Sequence, residues 1–187
     1  MQVVVLAAQT RGQRRPVFSA GYHVGGFEGD DHDPHLFEQV PDAIEAMRPL
    51  TVCALSGSVY GGATDLVLAC DLRLALAGSE WRMPAAALGL HYYPSGLQRY
   101  VSRLGLNRAK QAFLTALALL VEALADLFVQ IVDLDDFDAA LAALVHQLST
   151  LAPLAAQGMK RSLNEIAAGR FDLDALRERE SLTHRSA

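Results

Sequence analysis

The chain has 187 residues, of which 51% are hydrophobic and 20% are charged, and its formal net charge is -5. This balance is typical of a globular protein that buries a sizeable core, and the negative charge excludes a general nucleic-acid binder, whose surface must be basic. Cys53 and Cys70 lie in apolar runs and indicate reduced core residues of a cytoplasmic protein. The first ten residues lack the basic start of a secretory leader. Charged residues interrupt the longest apolar run, so the sequence predicts no membrane-spanning helix and no membrane as a partner.

Short apolar strands alternate with turns in the N-terminal part of the chain. The β-branched run of residues 3–8 predicts a buried strand, and residues 17–21 predict a short strand that ends at a glycine. An acidic loop over residues 29–35 leads into a helix, with Asp33 and Pro34 as its expected cap and first-turn proline. Residues 50–62 predict another strand that ends in glycines.

Helical patterns dominate the rest of the chain. Helices are predicted over residues 63–71, 96–116, 136–152 and 153–167, with one more strand at 72–78. The apolar stretch 114–132 is interpreted as a buried or oligomer-facing helix that runs into a strand, and the polar tail from residue 173 is expected to fray. Strands mixed with helices and no internal linker predict one domain of α/β (α+β) class.

Two glycine corners follow predicted strands. The first is "VFSAGYH", in which Gly21 precedes Tyr22, and the second is "CALSGSVYGGATD", in which Gly61 and Gly62 precede a helix. Glycine lets the backbone approach a ligand closely, and N–H groups at a helix start lack partners within the helix. Such groups suit a developing negative charge on an oxygen atom. Two plain tight turns are the alternative interpretation.

The motifs around these corners resemble the crotonase superfamily, the enoyl-CoA hydratase/isomerase family. The resemblance is carried by "FSAGYH", by "GSVYGGATDLVLACDLRLALAGSEWRMPAAALGL" and by "SGLQRYVSRLGLNRAKQAFLTA", in the family's order and spacing. It implies a spiral of ββα units over residues 1–111 and a helical C-terminal region over 112–187 in the same domain. It also implies an acyl-CoA ligand, with coenzyme A as part of the substrate and no separate cofactor. The expected assembly is a homotrimer or hexamer.

The resemblance also implies roles for individual residues. The backbone N–H groups of Tyr22 and Gly62 would hold the thioester carbonyl as it becomes an enolate, and Asp65 falls where the family has its first catalytic glutamate. Asp65 is either the acid or base of the reaction or a first-turn carboxylate that stabilises its own helix. The further positions expected at the substrate are Ala20, Gly21, His23, Gly61, Ala85 and Lys160.

The chain departs from the family pattern at several of these positions. Ala85 stands where the second glutamate belongs, which puts a two-carboxylate hydration in doubt. His91 and Tyr92 follow the L-G anchor, near the expected acyl end, and can orient a carboxylate or move a proton. Methylmalonyl-CoA decarboxylases of the superfamily place a tyrosine close to this point. Tyr93 is interpreted as a packing residue, which leaves Tyr92 as the tyrosine of the predicted catalytic set.

Three functions stay open at this stage. The first is an enzyme of this family that works through an oxyanion-stabilised enolate, with fatty acid metabolism as its setting. The alternatives are a non-catalytic acyl-CoA binder or degenerate structural subunit, and an acyl-CoA decarboxylase. The sequence is shorter than family members at both ends, so it is either a trimmed member or incomplete. The acidic loop 29–35 matches no metal site by spacing, and we expect no bound metal.

Overall fold

The computed structural model describes residues 3–22, 36–170 and 172–184. Its first part repeats one unit of two strands and a helix. The units are β1 (Val3–Ala7), β2 (Val17–Ser19) and α1 (Gln39–Ala46), then β3 (Leu50–Leu55), β4 (Ser58–Tyr60) and α2 (Ala63–Ala69), then β5 (Leu72–Leu76), β6 (Glu80–Arg82) and α3 (Pro94–Thr115).

Each unit places one strand in each of two sheets. One sheet is wholly parallel with strand order β1-β3-β5-β8, where β8 is Gln130–Val132. In the other, β2, β4 and β6 are parallel and β7 (Leu119–Leu120) is antiparallel to β6. Successive units therefore wind forward along both sheets, which confirms the predicted spiral of ββα units.

The C-terminal region is mainly helical, as predicted. A 3₁₀ segment over Val121–Leu127 leads to β8, and three helices follow. They are α4 (Leu134–Ser149), α5 (Pro153–Ala167), which begins at its proline, and α6 (Leu173–His184). None of the described helices is by itself long and apolar enough to cross a bilayer, although α4 and α5, bent by 104° at their break, pass that test as a pair.

The core lies between the sheets and helices. In β3 every residue is buried, and Val52, Cys53 and Leu55 are 0% exposed. The strand predicted over residues 3–8 forms, but the expectation that it is buried is wrong, because β1 is the edge of its sheet and Val4 and Val5 are each 38% exposed.

Two further predictions of local structure are wrong. Residues 50–62 form two strands instead of one, since the chain turns at Ser56 and Gly57 and enters the second sheet. The apolar stretch 114–132 is not a continuous helix: α3 ends at Thr115, and Leu119 pairs with the buried Trp81 in the second sheet. The 3₁₀ segment at Ala86–Leu88 and strand β6 were not predicted.

The polar tail, expected to fray, forms α6 over Leu173–His184. Glu165 of α5 accepts hydrogen bonds from Arg179 of α6 at 2.5 Å and from Arg161 at 2.9 Å. These bonds, led by that of Arg179, lower the pKa of Glu165 from 4.5 to about 2. The pair therefore ties α6 to α5 while Glu165 is ionised.

The Glu165 pair predicts an acid-sensitive contact. Because the folded pKa lies below the unfolded one, the stabilisation is present above pH 4.5 and is lost as the pH falls towards about 2. The unfolding temperature should fall more steeply over this window in the parent chain than in Glu165→Gln. Asp138→Asn is the control, since Asp138 pairs with Arg11 in a surface ion pair with both side chains more than 70% exposed. Parallel curves for the parent and Glu165→Gln would contradict the assignment.

Candidate active site

The two glycine corners lie against each other. Strands β2 and β4 are parallel neighbours, so the residues that follow them meet at one edge of the sheet. A Cβ atom on Gly21 would lie 2.6 Å from the carbonyl oxygen of Tyr60 and 3.3 Å from the Cα of Gly61. Gly21 also has a φ of 93°, which L side chains rarely adopt. The close approach of the two corners therefore depends on glycine at position 21.

The second corner is fixed by its own hydrogen bonds. The N–H of Gly61 donates to the carbonyl of Arg82 at 2.9 Å, and the hydroxyl of Thr64 donates back to the carbonyl of Gly61 at 2.6 Å. Gly62 is the N-cap of α2, and among the described residues its N–H donates no turn or cap hydrogen bond. The backbone after β4 is thus rigid, with the Gly62 N–H at the helix start.

A phenylalanine that the sequence analysis did not single out covers this corner. A Cβ atom on Gly62 would lie 2.8 Å from the ring of Phe37, so the ring packs directly on the glycine. The Phe37 ring also stands edge-on to Tyr22, at 5.4 Å between ring centroids, and to Tyr93, at 6.2 Å. No local sequence signal marks Phe37, because its contacts join segments that are far apart in the chain.

Asp65 lies in the first turn of α2 and is fully buried. Its Oδ1 accepts from the Nε of Arg99 at 2.9 Å, and its Oδ2 accepts from the Nη2 of Arg99 at 2.8 Å and from the hydroxyl of Tyr93 at 2.5 Å. The side chains of Arg99 and Asp65 are 3% and 0% exposed. The carboxylate is therefore held in a bidentate ion pair, an arrangement that neither interpretation of Asp65 anticipated.

Arg99 binds a second set of carboxylates on its other side. Its Nη1 donates to Asp42 at 2.7 Å and to Glu45 at 3.2 Å, both on α1. Burial acts to lower the pKa of Arg99, but its hydrogen bonds and charge interaction with Asp65, helped by those with Asp42 and Glu45, outweigh that effect and raise the pKa above its usual value. Arg99 thus links α1, α2 and α3. The sequence signal available for a cationic partner was Asp65 itself, the one acidic residue of α2.

Tyr92 and Tyr93 form a stacked pair beside Asp65. Their ring centroids are 4.2 Å apart, and the Tyr92 hydroxyl donates to the Tyr93 hydroxyl at 3.0 Å. A Cβ atom on Gly96 would lie 2.3 Å from the Tyr92 ring, so this glycine makes room for the pair. Burial first, and the charge of Asp65 next, raise the pKa of both phenols well above 10. Both side chains are neutral at physiological pH.

The remaining predicted site residues are dispersed. Ala20 is exposed beside Gly21, Ala85 is 7% exposed within the apolar core, and His91 is exposed on the loop before α3. His23 and the acidic loop 29–35 lie outside the described residues. Among the described residues, no group of three or more metal-ligating side chains is close enough to hold a metal ion.

Lys160 is engaged in a buried ion pair. Its ammonium pairs with Asp71 at 2.7 Å and donates to the carbonyl of Pro49 at 2.8 Å, and its side chain is 6% exposed. This contact anchors α5 to the start of β3. A role for Lys160 in binding a coenzyme A phosphate stays a prediction, and it would require this ion pair to open.

The candidate site is thus a pair of apposed glycine corners on a spiral ββα fold. The chain matches the Enoyl-CoA hydratase/isomerase family over residues 1–185 and belongs to that family. It is 27% identical over 156 residues to methylmalonyl-CoA decarboxylase of Escherichia coli (strain K12), a match that covers 79% of this chain and 59% of that protein. It is 33% identical over 81 residues to crotonyl-CoA hydratase of Syntrophomonas wolfei, covering 43% of this chain and 31% of that protein.

Solved structures share the fold. A crystal structure of methylmalonyl-CoA decarboxylase superposes with a TM-score of 0.79 at 23% identity, covering 99% of this chain and 72% of the other. A putative enoyl-CoA hydratase from Thermobifida fusca YX in complex with CoA superposes with a TM-score of 0.78 at 27% identity, covering 99% of this chain and 75% of the other. The chain spans 59% or less of the length of the curated relatives named above.

Proposed function

We propose that this protein binds an acyl-CoA thioester and stabilises its enolate. In this proposal the backbone N–H groups of Tyr22 and Gly62 donate to the thioester oxygen as negative charge develops on it. The observation that supports it is the contact between the two corners, which leaves no room for a side chain on Gly21. Coenzyme A is part of the substrate, and the reaction as proposed uses no separate cofactor.

Hydration of an enoyl-CoA is the reaction that Asp65 and Ala85 favour least. A water that adds across a double bond needs acid and base groups within hydrogen-bond reach. Ala85 offers no carboxylate, and the Asp65 carboxylate already accepts three hydrogen bonds. Asp65 therefore has little capacity left to hold a water directly.

Decarboxylation is the second candidate, and the occupied state of Asp65 favours it. When a carboxylated acyl-CoA loses CO₂, the electron pair of the broken C–C bond forms the enolate, so the step needs no base. The oxyanion corner alone supplies the stabilisation that this step requires. The similarity to methylmalonyl-CoA decarboxylase supports the same candidate.

Further parts of the proposal concern the assembly. The proposed assembly is a homotrimer or hexamer, and the proposed location is the cytoplasm. Large apolar side chains that are exposed in the single chain support self-association. Those of the α3 to β7 region are Leu106, Leu114, Leu117 and Leu120, which are between 52% and 73% exposed.

Measurements of binding and turnover distinguish the proposed functions. Calorimetry with butyryl-CoA and methylmalonyl-CoA measures binding. Loss of crotonyl-CoA absorbance measures hydration, and CO₂ release from methylmalonyl-CoA measures decarboxylation. We expect thioester binding, slow or absent hydration and CO₂ release. Asp65→Asn should leave CO₂ release within a few fold, because that step needs no base. Binding without any turnover would establish the non-catalytic binder, and absence of binding would refute the oxyanion site.

A further inference from the structure

The hydrogen bonds around Asp65 have one possible direction. A carboxylate only accepts, so the Tyr93 hydroxyl must donate its single proton to Oδ2 of Asp65, at 2.5 Å. Its proton is then committed, and the 3.0 Å contact with Tyr92 requires Tyr92 to be the donor. Both phenolic protons therefore point towards Asp65, and none of the described residues donates a hydrogen bond to the oxygen of Tyr92, which ends the chain.

We infer that Tyr92, Tyr93 and Asp65 form a proton relay that carries a proton from the acyl group of the ligand to Asp65. The inference rests on the proposed function, since the relay serves an enolate held at the Tyr22 and Gly62 corner. Tyr92 is the group that meets the substrate. Tyr93 and Asp65 act through it, Tyr93 as a positioning residue and Asp65 as the final base.

The relay balances in protons and charge. The C–H bond next to the thioester carbonyl breaks, and its electron pair forms the enolate. That proton passes to the oxygen of Tyr92, the Tyr92 proton passes to Tyr93, and the Tyr93 proton passes to Oδ2 of Asp65. Both phenols end neutral, and the negative charge moves from Asp65 to the thioester oxygen. The reverse sequence returns a proton to carbon.

The surroundings of the relay fit this function. Burial and the charge of Asp65 raise the pKa of both phenols, so each can pass a proton on without remaining ionised near neutral pH. Arg99 donates to both carboxylate oxygens of Asp65, which leaves Oδ2 to accept from the Tyr93 hydroxyl as well.

Isotope exchange tests the relay in the full chain. Butyryl-CoA incubated with the protein in D₂O should gain deuterium at the carbon next to the carbonyl, measured by mass spectrometry. Tyr93→Phe keeps the ring but breaks the relay, and it should lower the maximal exchange rate by about 100-fold while butyryl-CoA affinity stays within about twofold. Tyr92→Phe with Tyr93→Phe should exchange no more slowly than Tyr93→Phe alone, because one missing hydroxyl already interrupts the relay.

Tyr60→Phe is the matched control, because its hydroxyl also donates to a carboxylate, that of Glu80 at 2.9 Å, outside the relay. It should leave the exchange rate unchanged. A Tyr93→Phe rate equal to that of the parent would overturn the relay. So would a parent protein that binds butyryl-CoA without exchange. Absence of butyryl-CoA binding would instead refute the proposed function itself, so the two failures are distinguishable.

Discussion

Replacing Arg99 with methionine should destabilise the protein by about 3–5 kcal/mol, the cost of leaving one partner of a buried ion pair uncompensated. Asp65 is 0% exposed, and two of its three hydrogen bonds come from Arg99. Methionine keeps much of the volume but leaves the carboxylate without a cation in the core. Urea denaturation measured as a free energy of unfolding tests this expectation.

Two variants sharpen the Arg99 test. Arg103→Met removes a neighbouring arginine that bonds Glu45 and Asn164 and is 19% exposed, and it should cost about 1 kcal/mol or less. Arg99→Met combined with Asp65→Asn removes both charges and should recover part of the lost free energy. Equal losses for the two arginine variants would contradict the claim that the Asp65 pair is the anchor of this region.

Replacing Gly21 with alanine should collapse the proposed oxyanion corner. The new Cβ would lie 2.6 Å from the backbone carbonyl oxygen of Tyr60, and neither atom can rotate away because both are fixed directly to the backbone. Overpacking of this kind costs about 1–3 kcal/mol, and relief of the collision displaces Tyr22 and its N–H. Affinity for a CoA thioester should fall by at least about tenfold, the value of one neutral hydrogen bond.

Gly12→Ala is the matched control for Gly21→Ala. Gly12 has a φ of 83°, close to the 93° of Gly21, but a Cβ atom there would meet no atom within 4 Å. Both variants carry the left-handed penalty of about 1–2 kcal/mol, and only Gly21→Ala adds the backbone collision. Denaturation and thioester calorimetry on both variants isolate that collision. The same affinity in both would show that the corner does not depend on the contact between Gly21 and the second corner.

The glycine corners were predictable because their signals are local. A short apolar strand that ends in Gly21, and another that ends in Gly61 and Gly62, can be recognised within a few residues, and the parallel pairing of β2 with β4 then brings them together. The spiral of ββα units followed from the family resemblance and is confirmed by the two sheets.

The partners of Asp65 could not be predicted in the same way. Arg99 lies 34 residues further along the chain, and nothing between them reveals that α2 and α3 pack with these two side chains facing. The prediction of a helix over the apolar stretch 114–132 was wrong for a related reason. Its leucines favour a helix locally. Leu119 nevertheless pairs with Trp81 as part of a strand at the edge of the second sheet, because tertiary pairing overrides local propensity.

The aspartate at position 65 has a physical role in this arrangement. A shorter side chain than the family's glutamate reaches less far from α2, and here its carboxylate meets Arg99 and Tyr93. In the proposed relay, the two tyrosines extend the reach that the missing methylene removes. The relay therefore explains why an acidic residue is present at this position although no second carboxylate stands at Ala85.

The most direct test compares a CoA thioester with its thioether analogue, which has no carbonyl oxygen. If the N–H groups of Tyr22 and Gly62 hold that oxygen, calorimetry on the parent protein should show the thioether bound about 10- to 100-fold more weakly, the value of one to two hydrogen bonds. The difference should disappear in Gly21→Ala and persist in Gly12→Ala. Equal affinity of the parent protein for thioester and thioether would contradict the oxyanion site.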